Sequence, residues 1–387
     1  MRSSANALAP ASPTVGRAAF IDWARGLAVV IMIEAHTVDA WTRVADRKTA
    51  LFGYLTILGG FAAPLFLFLA GTGVALAAGR AFERSGRRRT AVEVVCRRGL
   101  EIFILAFLFR LQAFIVTPGS HPVTLFRVDV LNVMGPAIVA AAIAWGAARR
   151  VEMRVFLYAS LAALVAMTTP IVRAASWVDR LPTWVQLYVR PAGDLTTFTL
   201  LPWAGFVFAG SAVGVLIASA RSGEAHRRLQ IGLALGGAAL VAGGFYAASR
   251  ESIYAVQVSF WTSSPTWFAI RTGIMLVALA LLSAIPELGD GREQTSMGSK
   301  FLWAWWQAPL ARLGRASLFV YWIHVELVYG YASWLWRLRL PVWGSVAAWM
   351  LFTALIHQLI IGRDQYLARY FPGAAIPFPR RAGLSQA

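Results

Sequence analysis

Ile21-Asp22-Trp23-Ala24-Arg25-Gly26-Leu27-Ala28, continued by an apolar run to Glu34-Ala35-His36, puts an acid, an arginine and a histidine inside one hydrophobic segment. Charged groups rarely enter a bilayer without a functional reason. Written on a helix, Asp22, Arg25, Val29, Met32, His36 and Asp39 advance by three and four residues alternately, so all six share one face. Arg25 and His36 stand eleven positions apart, which is about three turns and roughly 16 Å of rise.

The chain has 387 residues, 58% of them hydrophobic and 14% charged, and a mean hydropathy of +0.61. That balance belongs to a polytopic membrane protein and not to a soluble domain. Windows of about twenty apolar residues fall near 20–41, 52–79, 99–117, 127–148, 155–173, 196–218, 229–249, 264–286, 313–334 and 341–362. The expected fold is therefore all-α, an integral membrane bundle of about ten transmembrane helices. A transmembrane domain over 17–371 is flanked by flexible cytoplasmic tails at 1–16 and 372–387.

The net charge of +18 does not point to nucleic acid, because the arginines fall in short clusters between apolar spans. Arg80, Arg84, Arg87, Arg88 and Arg89 follow the second span, Arg149, Arg150 and Arg154 the fourth, and Arg221, Arg227 and Arg228 the sixth. The positive-inside rule makes these loops cytoplasmic and, by parity, both termini as well. A linker over 287–306 turns at Gly289-Asp290-Gly291, and the outer loops carry Trp177, Trp184, Trp261 and Trp334 as interfacial anchors. Gly232, Gly236, Gly237, Gly243 and Gly244 in the seventh span read as close helix packing. The single cysteine, Cys96, excludes an internal disulfide and a cysteine metal cluster. No metal-ligand spacing and no phosphate-cradling glycine loop occurs, so no metal is expected.

With the first span running inside to outside, Asp22 and Arg25 lie near the cytoplasmic face and His36 and Asp39 near the outer one. The spacing matches the reach of a pantetheine arm, with phosphate at one end and a thioester at the other. Further along, Arg110 and Asp129 read as an ion pair between neighbouring helices or as a substrate contact. Arg271 is a candidate for an anionic or hydroxyl-rich acceptor. Ser317, Tyr321 and His324 share a face, either as a buried tyrosine–histidine hydrogen bond or as support for His36. Asp129, Arg271 and Glu326 are the candidate acceptor contacts.

The motifs together resemble the transmembrane acyltransferase superfamily, which joins acyltransferase-3 proteins to heparan-α-glucosaminide N-acetyltransferases. The arginine, ten residues and histidine of the first span are met by Arg25 and His36. Pro64-Leu65-Phe66-Leu67-Phe68-Leu69-Ala70-Gly71 is similar to the second span and Arg97-Arg98-Gly99-Leu100 to the start of the third. Pro202-Trp203-Ala204-Gly205-Phe206, Ser264-Pro265 and Gly314-Arg315-Ala316-Ser317-Leu318-Phe319-Val320-Tyr321-Trp322-Ile323-His324 look most like the heparan N-acetyltransferase-type bacterial branch. The resemblance implies acetyl-CoA as cytoplasmic donor, a glycan or small-molecule acceptor on the far side, His36 as the catalytic histidine and cytoplasmic arginines as the CoA site. In the lysosomal branch an asparagine stands at the position of His36, and the reactive histidine lies where this chain has Arg47. That difference leaves O-acetylation open beside N-acetylation.

The expected function is acyl transfer from acyl-CoA across the membrane, by an enzyme of the bacterial inner membrane. His36 takes the acceptor's proton or carries the acyl group, Asp39 orients it, and His324 is the second histidine. Arg25, Arg97 and Arg98 meet the phosphates. The lipid bilayer is a partner, a homodimer is left open, and nucleic acid is not a partner. The rival reading is a transporter or flippase using Asp22, Arg25, His36 and Glu326 as a path.

Overall fold

The computed structural model describes residues 19–116, 121–196, 198–285, 297–330 and 333–371. The expected tails at 1–16 and 372–387 and the Gly289-Asp290-Gly291 turn lie outside them. Among the described residues the chain is all-helical, with two isolated bridges, Thr42 with Leu340 and Val128 with Thr196, and no strand. The helices are α1 (Ala19–Trp41), α2 (Ala50–Gly59), α3 (Ala62–Ser85), α4 (Arg88–Val116), α5 (Val130–Ala147), α6 (Val151–Ala174), α7 (Thr183–Val189), α8 (Leu200–Ser219), α9 (Gly223–Ala248), α10 (Pro265–Ala284), α11 (Met297–Arg315), α12 (Ser317–Tyr329) and α13 (Val342–Tyr370).

Local chemistry sets several of these boundaries. α3 stops at Gly86, whose left-handed φ of 65° lets its N–H reach the Phe82 carbonyl. Ser222 and Ser264 cap α9 and α10 by accepting from Ala225 N and Thr266 N, and Pro265 follows at the position that needs no donor.

Among the described residues seven stretches are long and apolar enough to cross a bilayer: 50–85, 130–147, 151–174, 200–219, 223–248, 265–284 and 342–370. The other three expected windows fall outside that set for separate reasons. α1 carries Asp22, Arg25, Glu34 and Asp39, and α4 opens on a basic half. The window at 313–334 is not one helix, because α11 and the thirteen-residue α12 meet at Ala316, whose ψ of 10° interrupts the helical path.

α3 and α8 cross closely in the interior: Gly71 faces the Val207 carbonyl and Gly210 the Phe68 carbonyl. Two side chains bridge the crossing, Thr72 donating to the Gly210 carbonyl and Ser211 to the Gly71 carbonyl, each at 3.1 Å. Beside them α1 packs on α3, α11, α12 and α13. Gly26 of α1 abuts the Leu310 backbone, and Gly314 of α11 abuts that of Asp22.

The bundle has two distinct ends. Phe20 with His226, and Glu83 with Arg221 at 3.1 Å, mark the end where the basic turns lie. The opposite end holds Arg173, which donates to Thr199 Oγ1 at 2.6 Å and to the Leu201 carbonyl at 2.8 Å.

The glycines of 229–249 do not all serve helix packing. Gly237 and Gly244 share a face against α10, at Gly273 and Ile270, whereas Gly232, Gly236 and Gly243 have no neighbour within 4 Å of a modest side chain's first carbon. Substitutions separate these roles. Gly210→Ala drives a methyl into the Phe68 carbonyl and should destabilise by about 1–3 kcal/mol, as overpacking does, while Gly236→Ala should leave the thermal unfolding midpoint of purified protein unchanged or slightly raised.

Candidate functional site

Asp22, Arg25 and His36 of α1 remain on one face, and that face runs along α11 and α12. At its start Asp22, buried to 3% exposure, lies 3.8 Å from Arg25 Nη1 and 3.7 Å from Arg315 Nη1 of α11. The Arg25 side chain passes over Gly73 of α3, where an added carbon would come 3.1 Å from Nη2. In the middle, Val29 and Met32 are buried in the same apolar cluster as Leu313, Ala316 and Val320. The stripe is therefore a packed seam between its two polar ends and not an open groove.

At the far end His36 is half-buried against α12. Its Nδ1 lies 2.9 Å from the Tyr329 hydroxyl, and its ring centroid lies 5.0 Å from that of His324. His324 is fully buried and donates from Nδ1 to the Val320 carbonyl at 2.8 Å. A neutral imidazole with Nδ1 as donor carries its lone pair on Nε2, and that atom has no partner among the described residues. The tyrosine–histidine hydrogen bond of this region is thus His36–Tyr329. Tyr321 instead lies edge-on to His324, with centroids 5.9 Å apart, and stacks on Phe109.

A clamp holds this geometry in place. Trp41 Nε1 donates to the Val328 carbonyl at 3.1 Å, Trp349 Nε1 to the Val30 carbonyl at 3.1 Å, and Thr42 to Ser345 Oγ at 2.8 Å. Leu338 N, Leu340 N and Arg43 N complete backbone bonds between the end of α1 and the approach to α13. Asp46, in the turn after α1, accepts from Arg43 Nε and from Val342 N, both at 2.9 Å.

The remaining expected site residues divide. Asp39 is exposed and carries its carboxylate 3.5 Å from Arg47, so the group on His36 is the Tyr329 hydroxyl. Asp129 pairs with Arg110 of α4, and its N–H bonds the Asn132 side chain at the start of α5. Glu326 accepts from Gln112 Nε2 at 3.3 Å, and Gln112 accepts in turn from Trp322 Nε1 at 2.7 Å. Arg271, 7% exposed, lies between the rings of Phe61 and Trp267, each 4.7 Å away, and faces Gly60. Arg97 and Arg98 are exposed on α4 and share Glu101 at 3.3 and 3.2 Å; they stand apart from the α1 face. Tyr329 and Glu34 are site residues that sequence reasoning passed over. No group of metal ligands occurs among the described residues.

The profile of the family described as heparan-alpha-glucosaminide N-acetyltransferase, catalytic, matches residues 17–249. That is more than half of the chain, and the chain belongs to this family. No curated protein matches it significantly. The family is one of membrane acetyltransferases that use acetyl-CoA as donor in general. The match covers Asp22, Arg25, Glu34, His36 and Asp39 and ends before α10, so His324 and Tyr329 come from the part of the chain beyond it.

Asp46 gives the clamp a pH dependence. The Arg43 hydrogen bond, and then the Val342 N–H, hold its carboxyl below the usual range, so its contribution is present above the ordinary aspartate value of about 3.9 and fades as pH falls through the lowered one. Asp46→Asn should lower the thermal midpoint at neutral pH, and the gap from the parent protein should close below about pH 4. A gap independent of pH would mean that the ionised carboxylate does not brace the clamp.

Proposed function

We propose that this member of the heparan-alpha-glucosaminide N-acetyltransferase family moves an acetyl group from cytoplasmic acetyl-CoA to a hydroxyl or amine of a glycan acceptor on the opposite side of the membrane. The observation that carries the reading is the arrangement of α1. Arginines gather around Asp22 at one end, and eleven residues on from Arg25, roughly 16 Å of rise, His36 is oriented by Tyr329 and backed by His324.

Arg25 holds the phosphates of CoA through charge-assisted bonds, with Arg97 and Arg98, exposed on α4, adding positive charge on the cytoplasmic side. The acceptor oxygen or nitrogen attacks the thioester carbon while His36 removes its proton. The C–S bond breaks, the electron pair leaves on sulfur, and the proton passes on to the departing thiolate. Such a base contributes about 10² to 10⁴ in rate. Tyr329 is the positioning residue, fixing which imidazole nitrogen faces the acceptor. Because Val29 and Met32 fill the seam, the thioester reaches His36 by displacing α11 and α12 at their break at Ala316.

Two measurements test the reading. Acetyl-CoA should bind the purified protein, and Arg25→Ala should weaken binding about tenfold or more, a larger loss than Arg97→Ala with Arg98→Ala. Unchanged affinity in Arg25→Ala would remove the arginine from the donor site, and no acetyl-CoA binding by the parent would favour a transporter. Reporters fused after Gly223 and after Arg381 should read cytoplasmic and one after Asp179 external. An external signal at Gly223 would overturn the ten-crossing arrangement and the donor-inside scheme with it.

A further inference from the structure

Glu34 is fully buried, and neither of its carboxylate oxygens has a hydrogen-bond partner among the described residues. Two positions before His36, it points about 200° away around α1, off the seam and toward the turn between α2 and α3. There it lines a pocket of about 350 Å³, whose polar wall is Asp39, Arg47 and Thr56 and whose floor is Gly59-Gly60. The two glycines make the room. A side-chain carbon on Gly59 would come 2.9 Å from Glu34 Oε2, and one on Gly60 would come 2.6 Å from Arg271 Nη2.

A carboxyl removed from water without a partner is costly, and inside a membrane it marks a functional position. The pairing within the pocket narrows what answers it. Arg47 is engaged by the Asp39 carboxylate and by the Asp39 carbonyl, whereas the Glu34 carboxyl has no hydrogen-bond partner among the described residues. A ligand that brings an N–H or O–H to Glu34 satisfies those open acceptor atoms. Ala35 and Asp39, which line the pocket, bracket His36 along α1. Asp39, on the pocket wall, is the lining residue that shares the face of His36.

We propose that this pocket seats the acceptor, with Glu34 receiving a hydroxyl or amine hydrogen of the sugar. The assignment rests on the acetyltransferase reading and adds to it the acceptor's pocket and a residue that holds it there.

The test uses the full chain, purified in lipid nanodiscs, with glucosamine and glucose as probes beside acetyl-CoA, and reads ligand-induced shifts of the thermal midpoint. Glucosamine and glucose should raise the midpoint. Glu34→Gln should weaken the two sugars at least tenfold while the acetyl-CoA response persists. Thr56→Trp, which narrows the pocket from exposed α2 without altering the buried acid, should do the same and decides the matter if Glu34→Gln yields no folded protein. No response to either sugar, or unchanged sugar affinity in the folded variants, would overturn the assignment. If the parent protein also ignored acetyl-CoA, the acetyltransferase reading would fail separately.

Discussion

The indole of Trp41 donating to the Val328 carbonyl is the contact on which the rest of the site depends. It fixes the last turn of α1 against the last turn of α12, and the backbone bonds from Leu338, Leu340 and Arg43 make the junction continuous with α13. With that end held, His36 cannot slide relative to His324 and Tyr329. At the other end, Gly26 and Gly314 let α1 and α11 approach to backbone contact, which is how Arg315 reaches Asp22. The apolar seam between the two ends closes because both are fixed.

A bilayer makes every buried polar group a liability, and the chain meets that constraint by pairing. Asp22 sits between two guanidinium groups, Arg110 meets Asp129, His324 gives its proton to a helical carbonyl, and Arg271 rests between two aromatic faces. Against that background the atoms left unpaired are informative. Among them, beside Arg110 Nε and Arg271 Nη1, are both Glu34 oxygens and His324 Nε2, at the end of α1 where the acceptor would arrive.

Much of this was legible in the sequence because helical periodicity carries it. The shared face of Asp22, Arg25 and His36 follows from their spacing alone, as do the positions of the apolar helices. Periodicity on one helix says nothing about what another helix brings, so the Tyr329 hydroxyl, 293 residues away from His36, left no signal. Asp39, one turn beyond His36, had the right spacing to orient it, but Arg47 in the following turn draws its carboxylate away. Glu34 could have been found from an acid standing alone in an apolar run; it was passed over because it lies off the stripe that His36 occupies. The break at Ala316 carries no proline; Gly314 and Ser317, which flank it, are the marks that reading the window as one span passed over.

The central claim is a division of labour along one helix, with donor phosphates held at Arg25 and proton transfer carried out at His36. It is tested most directly by measuring, on purified His36→Ala protein, both acetyl-CoA affinity and single-turnover transfer of a labelled acetyl group to the glycan fraction of the native membranes. The account predicts affinity within about twofold of the parent, since the phosphates are held roughly 16 Å away, together with loss of transfer. Transfer at near-parental rates in His36→Ala would contradict it.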